Sequence, residues 1–199
     1  MNKFYLFTAL LMSLCTSIIA QSRFKTEHFR KLLSKEAIEL TQTKVQYNPA
    51  YISISYPMGD VPAHLGVCTD VVIRAYRKVG FDLQVGVHED MKQHFSQYPK
   101  IWGRKSTDKN IDHRRVPNLM KYFARKGQSL SLSKNPLDYQ PGDLVCWDLG
   151  TGITHIGIVV NKKSRDGKRN LIVHNIGNGQ VVEDCLFEYT IIGHYFFLP

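Results

Sequence analysis

Cysteine is scarce in this chain, and the four present never stand as a Cys-x-x-Cys pair, so a structural zinc site of the usual spacing is excluded. His-Glu-x-x-His is absent as well, which removes the common hydrolytic metal motif. His64 and Cys68 stand four apart, but nothing near them completes a ligand set, and neither a metal nor a cofactor is expected. The sequence has no internal repeat and no low-complexity tract. Acidic residues are few, 17 against 26 lysines and arginines, which gives a formal net charge of +9. That excess fits either an anionic partner or plain solubility. With 43% hydrophobic and 22% charged residues, disorder is not expected.

The first twenty residues combine a short positive start at Lys3, an apolar run from Phe4 to Ile19 and a small residue at Ala20. This pattern is that of a secretory signal peptide, and it predicts export to the periplasm or cell surface. Leu14 is too bulky before Cys15 for a lipoprotein signal. Losing Lys3 with the leader leaves a charge of +8. Cys68, Cys146 and Cys185 then remain, an odd number, so at least one thiol is unpaired. Cys146 and Cys185 are open to two readings, a disulfide or two reduced buried residues.

Residues 22–41 read as an amphipathic helix on the outside of the domain, with Phe29, Leu32, Leu33 and Leu40 on one face. Tyr51 to Tyr56 alternates like a short strand. After a loop through Pro57 and Pro62, Cys68 opens a helix whose face is Val72, Ala75, Tyr76 and Val79. Gly80 stands where a left-handed cap would fall. A short helix is predicted through Met91, Phe95 and Tyr98, and another over Val116 to Phe123, with Pro117 in its first turn and Gly127 at its end. From Leu144 the period changes to that of strands: Leu144–Leu149, Ile153–Val160, Leu171–His174, Gln180–Glu183 and Thr190–Phe197. Helices followed by an antiparallel meander predict an α+β fold. The expected division is a leader over 1–20, a helical extension over 21–44 and one domain over 45–199.

The chemistry-bearing residues follow from these placements. A cysteine at a helix N-terminus meets unpaired N–H groups and the positive end of the dipole, which predicts a depressed thiol pKa. His155 and His174 lie on neighbouring strands, and Gly157 leaves room for close approach. Cys68 is the expected nucleophile, His155 its base and His174 the group that orients His155, with Asn175 in reserve. Backbone N–H groups at the helix start would hold the oxyanion, joined by Tyr56 or Asp60. Arg114 and Arg115 suit the carboxylates of an acidic peptide. The loop Asn161–Arg169 is a basic hairpin.

The segments Gly66-Val67-Cys68-Thr69-Asp70, Val87-His88-Glu89-Asp90-Met91, Asp112-His113-Arg114-Arg115, Pro141-Gly142-Asp143, His155-Ile156-Gly157-Ile158-Val159 and Val173-His174-Asn175-Ile176-Gly177 resemble the exported bacterial family called domain of unknown function 1287. The likeness spans roughly residues 45–199. That family is similar to the NlpC/P60 papain-like cysteine hydrolases, which cleave cell-wall stem peptides. The resemblance implies a papain-like fold, N-terminal helices packed on a C-terminal antiparallel sheet. It also implies a Cys68-His155-His174 site, and the reading of the residues adds Tyr56, Asp60, Asp70, Arg114 and Arg115 on the substrate side. The implied partner is peptidoglycan or another cell-wall peptide; apart from the resemblance, a monomer that uses no nucleic acid is expected, with the basic hairpin Asn161–Arg169 suited to an anionic cell-surface polymer. Around the nucleophile the chain departs from the NlpC/P60 pattern: Val67 replaces an aspartate, and Thr69-Asp70 replaces Ser-Gly. An acyltransferase or lipid-directed thiol hydrolase on the same scaffold, and a cell-wall-binding module without turnover, are the rival readings.

Overall fold

The computed structural model describes residues 2–199, with side chains from residue 20 onward. Residues 1–19 of the leader expected at 1–20 therefore lie outside the residues whose side chains are described. Helix α1 spans Asn2–Leu40. Its Phe29, Leu33 and Ala37 are buried in the main core, so this helix is a structural wall of the domain and more than an outer cover. Strands β1 (Gln46–Tyr47) and β2 (Leu65–Gly66) form a small parallel pair. Tyr51–Tyr56 forms no strand, because no neighbouring strand pairs with it, although its exposure alternates as the sequence does.

Helix α2 (Cys68–Lys78) is strongly amphipathic and buries Val71, Val72, Ala75 and Tyr76. Asp70 reaches back to accept the Val67 N–H at 2.7 Å, and Arg77 and Lys78 sit at the negative end. Gly80 ends the helix with φ of +89°, the left-handed geometry its position demanded. Helix α3 (Leu83–Gln93) starts eight residues before the expected Met91, capped by Asp82, whose carboxylate accepts the Gln84 N–H at 3.1 Å. A one-turn 3-10 helix over Asp112–Arg114 leads into α4 (Val116–Lys126).

The remaining strands are β3 (Gln128–Ser129), β4 (Leu144–Asp148), β5 (Thr154–Lys163), β6 (Asn170–Asn175), β7 (Gln180–Glu183) and β8 (Thr190–Phe196). They form one antiparallel sheet in the order β3-β8-β4-β5-β6-β7. The order is not a plain meander, since β8 returns to lie between β3 and β4. Period-2 alternation divides the side chains between two cores. Leu144, Cys146, Ile156, Ile158, Val160 and Val173 pack against the helices. Val145, Trp147, Val159 and Ile172 pack on the other face with Tyr139, Cys185 and Leu186. The fold is thus α+β, as expected. Cys146 and Cys185 belong to opposite faces, and both are free thiols, which settles the open pairing in favour of reduced residues.

Candidate functional site

Cys68 is the first residue of α2 and lies against β5. Burial is the largest influence on its thiol, pushing the pKa up to about 12. The Ile156 N–H, which points at the sulfur, opposes that shift, Asp70 adds to it, and the N–H groups of Thr69 and Cys68 oppose it again. The depressed pKa expected from the helix start is therefore not found. Desolvation outweighs the helix-end N–H groups because the sulfur is sealed from water on most sides.

His155 sits one residue before the amide that meets the sulfur. Strand alternation sends its ring to the opposite face, 5.8 Å from the Trp147 ring across the pair Trp147–His155. His155 Nε2 lies 2.8 Å from His174 Nδ1, and His174 Nε2 lies 2.7 Å from Glu183 Oε2. Gly157 makes this approach possible. A methyl group there would come within 2.5 Å of Ile172 Cγ2 and 3.2 Å of His174 Cβ. The chain of contacts dictates the tautomers. The Glu183 carboxylate can only accept, so His174 carries its proton on Nε2 and presents a lone pair on Nδ1. His155 Nε2 must then donate, which leaves the His155 Nδ1 lone pair unengaged. Burial, reinforced by His174, lowers the His155 pKa to about 3. Burial also lowers His174, against the pull of Glu183. Both rings are neutral at neutral pH.

The structure thus joins His155 to His174, and places Cys68 beside the same strand without a hydrogen bond to either ring. Among the described residues the thiol in hydrogen-bonding reach of a histidine nitrogen is instead Cys185, whose Sγ is 3.7 Å from His174 Nε2. Glu183 was not singled out from sequence. Its only signal was its place at the end of the strand next to His174. Asn175 does not reach the histidines, since its amide donates to the Gly66 carbonyl at 3.3 Å.

A cavity of about 220 Å³ opens beside Cys68, lined among others by Tyr47, Trp102, Arg114, Arg115 and Thr154. Arg114 is not free within it. Its Nε and Nη2 donate to the two Asp70 carboxylate oxygens at 2.8 and 3.0 Å, and the side chains are 2% and 3% exposed. Asp70 and Arg114 were expected to meet substrate; here they satisfy one another, because a buried carboxylate and guanidinium are each costly alone. Arg115 stacks on Trp102 at 4.1 Å and lies 3.7 Å from Asp112, which leaves its other edge toward the cavity. Tyr56 and Asp60 line no part of this cavity. Tyr56 donates to Glu89 at 2.8 Å, and Asp60 accepts from Arg74 at 2.9 and 3.1 Å. In the basic hairpin, Arg169 pairs with Asp184, while Lys162, Lys163, Arg165 and Lys168 are exposed.

Comparison with known proteins agrees with the resemblance carried by these segments. A curated relative from Escherichia coli K12, named Uncharacterized protein YijF, is 53% identical over 149 residues, covering 75% of this chain and 72% of the relative. A family model matches residues 34–197, a span that takes in Cys68, His155, His174 and Glu183, and the chain belongs to that family, the domain of unknown function DUF1287.

Proposed function

We propose that the protein is an exported thiol hydrolase of the NlpC/P60 papain-like type that cleaves amide bonds in peptidoglycan stem peptides. The observation that carries this reading is the Glu183–His174–His155 chain, which ends in a bare imidazole nitrogen on the strand against which the helix-start thiol packs. On this reading Cys68 is a neutral thiol at rest. The ring and the sulfur stand on opposite sides of β5 at rest, so this reading has substrate binding shift the starts of α2 and β5 until Sγ leaves the Ile156 amide and meets His155 Nδ1. Sγ attacks the carbonyl carbon as Nδ1 takes the thiol proton, and the same proton passes to the departing amine. The N–H groups of Cys68 and Thr69 hold the oxyanion, and water then releases the acyl group. His174 stabilises the imidazolium, and Glu183 holds His174. Arg115, fixed over Trp102, binds a substrate carboxylate at the cavity mouth. The mixed polar and aromatic lining favours a peptide over the lipid of the acyltransferase-like rival.

Incubating purified peptidoglycan with the full chain, and identifying the fragments by mass, tests the proposal. A new amine-bearing fragment is expected from the native protein and from neither Cys68→Ala nor His155→Ala. His174→Asn or His174→Gln should retain part of the rate, and His174→Ala less, above His155→Ala. A fragment released equally by Cys68→Ala would overturn the reading, as would activity per folded molecule that no His174 substitution changes.

A further inference from the structure

On the face of the sheet away from the helices, three donor atoms of different chemistry converge. His174 Nε2, a carboxylate oxygen of Glu183 and Cys185 Sγ lie within 4.8 Å of one another. They come from β6, the end of β7 and the turn after it. The Nε2–Sγ separation of 3.7 Å is close to the edge of a tetrahedral zinc site, about 3.6 Å from ordinary Zn–N and Zn–S bond lengths. His174 and Cys185 are buried, whereas the Glu183 side chain is 47% exposed, so an ion has an approach from solvent. Glu188 and Asp184 add negative charge around the thiol, although Asp184 is shared with Arg169. Imidazole, carboxylate and thiolate together suit a borderline cation better than calcium or magnesium.

We propose that His174, Glu183 and Cys185 bind one zinc-class divalent cation, and that the ion acts as an off switch by reversing the tautomers of the histidine pair. The switch rests on the hydrolase reading; the cation site does not. Cys185 loses one proton to solvent on binding the ion. The ion takes the place of the proton on His174 Nε2. His174 then carries its proton on Nδ1, received from His155 Nε2, and donates it back toward that nitrogen. His155 regains a proton from solvent on Nδ1, in the amount displaced from His174 Nε2. Both rings stay neutral, but the His155 atom needed as a base is now occupied.

The test is a titration of chelator-treated full chain with Co²⁺, followed by displacement with Zn²⁺. A thiolate-to-cobalt charge-transfer band saturating at one ion per chain is expected. Cys185→Ser should lose the band, Cys68→Ala should keep it, and Glu183→Gln, a change at an exposed side chain, should weaken binding by about tenfold or more. Nitrogen-15 spectra of the His155 ring should report the proton moving from Nε2 to Nδ1 on Zn²⁺ addition. Absence of the band, or a band that survives in Cys185→Ser, overturns the site. A band with an unchanged His155 tautomer overturns the switch. If peptidoglycan is not cleaved, the hydrolase reading fails, while the cobalt spectrum still decides the site.

Discussion

Replacing Arg114 by methionine should unfold the protein at a markedly lower temperature, because the guanidinium neutralises a carboxylate that has no other cation among the described residues. Asp70 takes both of its charge-assisted bonds from Arg114, at 2.8 and 3.0 Å, and its remaining bond comes from the Val67 amide. Thr69 is tied to the same place, its hydroxyl donating to the Arg114 carbonyl at 3.2 Å. Breaking a buried pair from one side costs about 3–5 kcal/mol, since the surviving charge stays desolvated. In a domain of this size each kcal/mol lowers Tm by about 2–4 °C, so a fall of roughly 6–20 °C is expected. Asp70→Asn keeps an oxygen for the Val67 N–H and removes the stranded charge. The double variant Asp70→Asn/Arg114→Met should therefore be more stable than Arg114→Met alone, by about 1 kcal/mol or more. Thermal unfolding followed by circular dichroism measures all three variants. If Arg114→Met leaves Tm unchanged and only weakens substrate binding, Arg114 is the substrate contact that the sequence suggested, and the structural role argued here is wrong.

Alkylation of Cys68 by iodoacetamide should rise about tenfold per pH unit from pH 7 to 9 without a plateau. A thiol held near 12 carries about a thousandth of the thiolate of one at 9. A plateau near neutrality, mapped to the Cys68 peptide, would mean a preformed ion pair with His155. His113 is buried and faces the cations Arg77 and Arg114 and the ring of His88, which together hold its pKa to about 3. Below pH 6.5 the unfolded chain binds a proton that the folded one refuses, so stability falls as pH falls, by about 1.4 kcal/mol per unit from this site until about pH 3. His113→Gln should flatten that slope in urea melts at pH 4 to 6, and an unchanged slope refutes the assignment. Arg115→Gln should raise KM for a carboxylate-bearing peptide about tenfold with little change in kcat, and an equal fall in kcat would place Arg115 in the chemistry instead.

Much of this architecture was legible in the chain because it rests on local rules. The Cys68 helix and its Gly80 cap, the Val116 helix with Pro117 at its start, and the strand limits of Gln180–Glu183 follow from periodicity and capping. The pairing of His155 with His174 was also readable, from adjacent strands and an intervening glycine. What stayed hidden depends on partners distant in sequence. Tyr51–Tyr56 has the alternation of a strand but nothing to pair with. Helix α3 is announced only by Asp82, an aspartate in a polar turn like many others. Arg114 and Asp70 look like free charges until the fold brings them together, 44 residues apart. The thiol pKa failed for a related reason, since a helix end is visible in sequence and the wall that dries it is not.

The position of β8 has a consequence for how the chain comes to be folded. Last in sequence among the strands, it lies inside the sheet, bonded to β3 on one side and β4 on the other. The Phe197 carbonyl just beyond it receives the Tyr76 hydroxyl at 2.9 Å, binding that end to the last turn of α2. Until β8 arrives, β4 is an open edge. The β4–β8 pairing joins segments more than forty residues apart, a long-range contact of the kind that forms slowly. Closure of the sheet thus waits on the last strand of the sequence, and the edge of β4 is covered only when β8 takes its place between β3 and β4.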